Sequence, residues 1–425
     1  MTTLRPFRAL RPVDNAAAAR VAALPYDVLS SDEARAAVEG NPDSFLHVDK
    51  AEIDLDPTVD PYDDAVYARA KANMDALVHR GVLVNDSSAC FYLYRQTMDG
   101  RSQTGVVGCA AVDDYLDDRI KKHELTRADK EADRIAHVDA LDANTGPIFL
   151  AHRPHQGLTD MVDRWTASHA PVYDFTADGV RNEVWRVADV GTNLQIAVMF
   201  TKMTELYIAD GHHRCASAVK VAQMRRDQHP EYTDDEEFNY FLAVVFPEDQ
   251  LRIMDYNRVL ADRAGRTPEE LLAALADVVS VGEAQPQPFR PTAKHEFAMF
   301  LAGSWYPLRA RPELVDESDP VASLDAAWLQ THVLAPLLDV ADPRADQRID
   351  FVGGIRGLDE LARRAGPDGV AFALHPVAMD DLFAVADAGR IMPPKSTWFE
   401  PKLLSGLFVH ELWSQGQCEI RLPRG

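Results

Sequence analysis

The sequence predicts an α+β protein with a mixed-sheet core and additional α/β elements around it. Three observations predict this. Short apolar, β-branched runs alternate with segments whose apolar residues recur at helical spacing. Two of those runs flank the turn Met98-Asp99-Gly100, as in a hairpin. A third run, Leu206 to Ala209, passes into an Ala-rich helix through Asp210-Gly211-His212-His213-Arg214. The chain has 425 residues, enough for two or three domains at about 150 residues each.

From the N-terminus, the basic RPFRALRP precedes an Ala-rich stretch, and Ser30 or Ser31 caps a short helix ending at Gly40. Ala65, Val66, Ala70, Met74 and Leu77 lie on one helical face, and Gly81 stops that helix. The hairpin CFYLYRQTMDGRSQTGVVGCAAVDDY comes next. A charged helix from Leu125 to Asp142 is closed by Asn144-Thr145-Gly146-Pro147, and Ile148 to Ala151 form a buried strand. Between Gly157 and Phe200 we expect a helix and a small antiparallel patch, with VWRVADV and LQIAVMF as strands. FNYFLAVVFPEDQLRIMDYNRVL supplies two more strands, the first apolar enough to be central. After Ala264, TPEELLAALADVVSV reads as a capped helix and HEFAMFLAGSWYPLRA as a hairpin around Ala302-Gly303. The tail carries a strand, a Gly-rich turn and a helix in RIDFVGGIRGLDELARRAG, then the strand-like GLFVHEL. The expected organisation is an N-terminal α/β segment belonging to the core (1–85), the core itself with His123-Glu124 and the Asp210–Arg214 turn (86–262), and a C-terminal α+β domain contributing the GGIRG and PPKSTW loops (263–425).

Forty-four Lys and Arg against 67 Asp and Glu leave a net charge of −23. Such a surface repels phosphate backbones and anionic lipid, so neither nucleic acid nor a membrane surface is an expected partner. Cys90, Cys109, Cys215 and Cys418 show no zinc spacing and no dense disulfide pattern. The opening MTTLRPFRAL lacks the apolar core of a signal peptide. The expected location is the cytoplasm, and homo-oligomerisation is left open.

The densest chemistry lies at Asp210–Arg214. Free N–H groups and the positive dipole end at a helix start attract phosphate, and Arg214 adds a bidentate clamp. The plain alternative is a tight turn at Gly211 with two satisfied histidines. Glu124, beside His123, offers a carboxylate to take a proton from a substrate hydroxyl or to hold a metal. Arg127 through Arg134 carry acids and bases at helical spacing, which fits a solvated face as well as a site. Pro393-Pro394-Lys395-Ser396-Thr397-Trp398 places a lysine and two hydroxyls after a rigid double proline, without the full pattern of a P-loop. Phe351-Val352-Gly353-Gly354-Ile355-Arg356-Gly357 is either a glycine-cradled anion site or a plain turn. Leu24-Pro25-Tyr26-Asp27-Val28 and Asn144–Pro147 are each either a site wall or a connection. Neither H-E-x-x-H nor H-x-H occurs, which argues against a transition metal.

RPFRALRP, LPYDVLS, NPDSFLHV, QTGVVGC, IKKHELTR, ANTGPIF, YIADGHHR, EEFNYFLAVVFP, RIDFVGGIRG and MPPKSTWFEPK resemble, in order, the recurring blocks of the domain of unknown function 1015 family. The strand-Asp-Gly-His-His-Arg-helix unit is more remotely similar to the nucleotide-handling motif of the ParB and sulfiredoxin superfamily, which includes free L-serine kinases. That resemblance implies a ParB/sulfiredoxin-like core and an ATP- or ADP-dependent kinase with Mg2+, phosphorylating a free amino acid. It places Glu124 as base beside His123, with Gly211, His212, His213 and Arg214 as the phosphate grip. Phosphoryl transfer also suits these residue types on its own terms, needing cations, backbone donors and a carboxylate that orients the attacking hydroxyl. Lys395, Ser396 and Thr397 are then a second phosphate contact, Asp210 a magnesium ligand, and Asp27 and Arg127 the contacts to substrate amine and carboxylate. The rival readings are a nucleotide-binding or NTP-hydrolysing module without an amino-acid substrate, and an interaction protein whose charged blocks are only surface.

Overall fold

The hairpin around Asp99-Gly100 lies inside a nine-stranded sheet, in the first of two units into which the chain divides. The computed structural model describes residues 1–413. Among the described residues, the first unit comprises Met1–Lys121, Thr126–Leu251 and 401–413; the second comprises Lys122–Leu125 and Arg252–Glu400.

In the first unit the strand order is Ile120–Lys121, Leu206–Asp210, Ile148–His152, Tyr240–Pro247, Arg101–Ala111, Phe91–Met98, Val180–Val187 and Tyr173–Ala177, with Leu4–Arg5 paired to Arg101–Ala111. Leu206–Asp210 runs parallel to Ile120–Lys121 and antiparallel to Ile148–His152, which is in turn parallel to Tyr240–Pro247. The mixed-sheet α+β class read from the sequence is therefore the class observed. Tyr240–Pro247 is buried along almost its whole length, as its unbroken apolar run demands of a central strand. One face of the sheet buries Phe91, Leu93, Trp185, Ile208 and Phe241 with Ile196 and Phe200.

Local signals are realised where they are strong. Ser30 caps Ser31–Ala37 in a capping box with Glu33, and Asp63 caps Asp64–His79. LQIAVMF is a correction: it belongs to the helix Val190–Phe200, not to a strand. Asp189 caps that helix by accepting from the Thr192 N–H at 2.7 Å, and Asn193, Ile196, Ala197 and Phe200 recur at helical spacing on its buried side. A seven-residue apolar run carries no period by itself, and the cap upstream decides it.

The second unit holds a six-stranded, wholly antiparallel sheet in the order Val279–Val281, Ser304–Ala310, Glu296–Leu301, Val370–Leu374, Tyr256–Leu260 and Ile349–Gly353. Thr267 and Glu270 form the expected capping box on Pro268–Leu275. Its core gathers Leu271, Leu275, Phe297, Met299 and Trp328, the last stacked on Phe297 with centroids 5.5 Å apart. The GGIRG turn follows its strand as expected, but its glycines serve packing. A Cβ on Gly353 would fall 2.7 Å from the Trp398 ring, and one on Gly354 would fall 2.2 Å from Asp255 Oδ1. An aspartate in that position answers the question of an anion cradle there: the turn is structural.

Candidate functional site

Strand Leu206–Asp210 passes into helix His212–Gln228 through a single residue, Gly211, at φ 91° and ψ 31°. Only glycine takes this left-handed conformation without strain. A Cβ there would also lie 3.2 Å from Arg214 Nε and Nη2, so the guanidinium folds back over the turn because Gly211 has no side chain. The helix has no side-chain cap and no acidic residue in its first turn, which carries His212, His213 and Arg214 instead. Basic groups at the positive end of a 17-residue helix are the reverse of what stabilises a helix in isolation; they suit an anion held there.

Four contacts order this turn. Arg214 Nη1 donates to the Pro147 carbonyl at 2.6 Å. The Arg127 backbone N–H donates to His213 Nε2 at 3.0 Å. Asp210 Oδ2 pairs with Lys402 Nζ at 3.0 Å, while Oδ1 accepts the Gly211 N–H at 2.8 Å. Burial alone would raise the Asp210 carboxyl; Lys402, Arg214 and the Gly211 N–H outweigh it and hold the group well below the usual carboxylate range.

A cavity of about 30 Å³ opens beside the turn, within the first unit. Both loops left open by the sequence contribute to it: Pro25 and Tyr26 from one, Asn144, Thr145 and Gly146 from the other. Arg214, Asp49, Arg134, His137 and Ser405 complete most of the wall. The Arg134 guanidinium lies 4.0 Å from the Tyr26 ring centroid, and its Nε donates to Asp133 at 2.9 Å. Burial opposes the Arg134 charge, but Asp133 and Tyr26 keep its pKa above the ordinary value. Asp133 is itself held by the Tyr67 hydroxyl at 3.1 Å. The Thr145 hydroxyl donates to Asp49 Oδ1 at 2.7 Å.

His137 Nε2 donates to the Val48 carbonyl at 3.1 Å, and burial, reinforced by Arg134, pushes its pKa down to about 4. The imidazole is thus folded as the neutral base. Between pH 6.5 and 4 the unfolded chain binds a proton that the folded one does not, so stability falls as pH falls through that window and levels off below it. The expected loss is about 2 kcal/mol from pH 6.5 to 5. Denaturant unfolding at both pH values should show it, and His137→Gln should flatten it; equal slopes for the two proteins would reject the assignment.

In the second unit, two blocks 274 positions apart meet: His123 Nε2 lies 3.3 Å from Thr397 Oγ1. The buried His123 also accepts the Met392 N–H on its backbone carbonyl at 2.8 Å, and Glu124 beside it is half-buried. Ser396 donates to the Pro393 carbonyl at 2.7 Å, closing its own loop. Lys395 is exposed at φ 58°, its ammonium 5.8 Å from the Tyr256 ring centroid.

The structure thus brings Asp210, Gly211, His212, His213 and Arg214 together with Arg127 in the first unit, and His123 and Glu124 together with Ser396 and Thr397 in the second. Asp27 and Arg127 are exposed, and the Arg127 side chain pairs with Asp129 at 2.8 Å. Sequence reasoning did not select Lys402, Asp49, Arg134, Thr145 or Ser405. One signal was present: Asp133, Arg134 and His137 share the buried stripe of Ala128–Leu141 with Val138 and Leu141. Charged residues in step with apolar ones mark a polar site more than a solvated face.

A family model described as "Protein of unknown function (DUF1015)" matches residues 4–327. The chain belongs to this family. The RIDFVGGIRG and MPPKSTWFEPK blocks lie beyond the matched span. No curated protein matches the sequence. Among solved structures, the chain is similar to SbnI with a C-terminal truncation from Staphylococcus aureus, at 13% identity and TM-score 0.37, covering 70% of this chain and 85% of that one. It is similar to a free serine kinase in complex with AMP, at 13% identity and TM-score 0.35, covering 73% and 93%. A conserved hypothetical protein from Pyrococcus furiosus gives 14% identity and TM-score 0.36, covering 73% and 97%. Likeness at this level carries no function from those proteins to this chain. Among the described residues, no helix is long and apolar enough to cross a membrane.

Proposed function

We propose that the protein is a kinase that moves a phosphoryl group from ATP or ADP to the hydroxyl of a free amino acid, with L-serine as acceptor. One observation carries the reading: the helix His212–Gln228 opens, without cap or acid, on three basic residues behind a left-handed glycine. Uncapped N–H groups, the dipole and Arg214 are the parts that a phosphate chain needs. In this reading His212, His213 and Arg214 grip the phosphates, with Lys395 and Thr397 as a further contact, and Glu124 beside His123 takes the proton of the attacking hydroxyl.

Magnesium enters as part of the nucleotide substrate. Asp210 has Lys402 on one carboxylate oxygen and the Gly211 N–H on the other, which fits an acidic partner of the cation cluster better than an open metal site.

Purified protein incubated with L-serine and either MgATP or MgADP is expected to form O-phospho-L-serine. Folded protein that forms none with either nucleotide overturns the reading. The rival is a nucleotide-binding or hydrolysing module with no acceptor. Nucleotide turnover unaffected by any amino acid would establish that rival.

A further inference from the structure

Arg134 is 9% exposed and lines the first unit's cavity, yet only its Nε is hydrogen-bonded. Among the described residues neither Nη group has an acceptor. Its Nη groups are left to water or a ligand in the cavity, and the planar fork matches a carboxylate or a phosphate. The Tyr26 ring, 4.0 Å from the guanidinium carbon, holds it in place. Asp49, 5% exposed, lines the same cavity; Thr145 donates to its Oδ1, and its Oδ2 has no hydrogen-bond partner among the described residues. The cavity therefore offers both an unfilled donor fork and an unfilled acceptor.

Charge decides what fits. Arg134 and Arg214 are balanced by Asp133, which holds Arg134 Nε, and by Asp49, so the site has no net charge. A phosphate dianion would overload that balance and face Asp49, whereas a zwitterion preserves it.

We propose that this cavity binds the head group of a small α-amino acid, with the carboxylate on Arg134 and the ammonium on Asp49. As the acceptor site of the proposed kinase it rests on that reading, and it gives to Arg134 and Asp49 the roles first assigned to Arg127 and Asp27. Binding and turnover are nevertheless separate measurements.

Calorimetric titration of the full chain is expected to show L-serine binding, with ethanolamine and 3-hydroxypropionate at least about tenfold weaker and inorganic phosphate not competing. Arg134→Lys keeps the charge and loses the fork, and should weaken serine about tenfold or more. Gly146→Ala removes no charge but sets a methyl 3.1 Å from Ser405 Oγ and 3.5 Å from Arg214 Nη1, and should weaken serine by narrowing the cavity. No serine binding, ethanolamine or phosphate binding as tightly as serine, or unchanged affinity in both folded variants would each overturn the assignment. If serine binds in an Arg134-dependent way and no phosphoserine forms, the site stands and the kinase reading falls. If phosphoserine forms with an unchanged serine KM in both variants, the kinase stands and the site falls.

Discussion

Glu124→Ala is expected to lower phosphoserine formation by roughly a hundred- to ten-thousand-fold, the usual contribution of a positioned general base. Glu124→Gln should do the same while keeping the shape, because an amide cannot take the proton. Nucleotide affinity should be unchanged in both, since the phosphate grip assigned to His212, His213 and Arg214 is left whole. The pairing of results is what tests the role: a Gln variant that keeps more than half of the wild-type rate would remove Glu124 from the chemistry. The prediction rests on an acid that the structure keeps half-buried beside His123, whose ring is oriented by Thr397 at 3.3 Å.

Gly211→Val should be the most damaging change in the first unit. At φ 91° a β-branched residue is strained by about 1–2 kcal/mol, and its Cβ would press on the Arg214 guanidinium from 3.2 Å. Arg214 would then leave the Pro147 carbonyl, and nucleotide affinity should fall about tenfold or more along with stability. Arg214→Lys separates the two effects: the turn stays relaxed, the fork is lost, and affinity falls with a smaller loss of stability. Denaturant unfolding and nucleotide titration on each variant read both quantities. A folded Gly211→Val protein that binds nucleotide like the wild type would show that the turn holds no phosphate.

Local signals were legible because their physics spans a few residues. Ser30 with Glu33, and Thr267 with Glu270, satisfy the first N–H groups of their own helices, and Asp99-Gly100 turns its own hairpin. LQIAVMF was misread because an unbroken apolar run looks alike in a strand and in a buried helix. Arg134 was left undecided for a related reason: acids and bases at helical spacing look the same on a wet face and on a packed one. What separates them is that Ala128–Leu141 packs against both Asp64–His79 and His212–Gln228.

The sequence by itself determined the mixed α/β class, the caps at Ser30 and Thr267, the turn of the Asp99-Gly100 hairpin, the passage from strand through Gly211 to helix, and membership of the family. Only the tertiary structure decided that Lys402 pairs with Asp210, that residues 401–413 belong with the first unit, and that Tyr26, Asp49, Arg134 and Ser405 share one cavity. The reason is physical. Backbone preference and capping act over a turn or two, whereas the cost of closing a loop rises only slowly with its length, so sequence distance says little about which far segments meet. That choice is made by the burial of apolar faces, and the polar residues of the cavity are carried to one another by it.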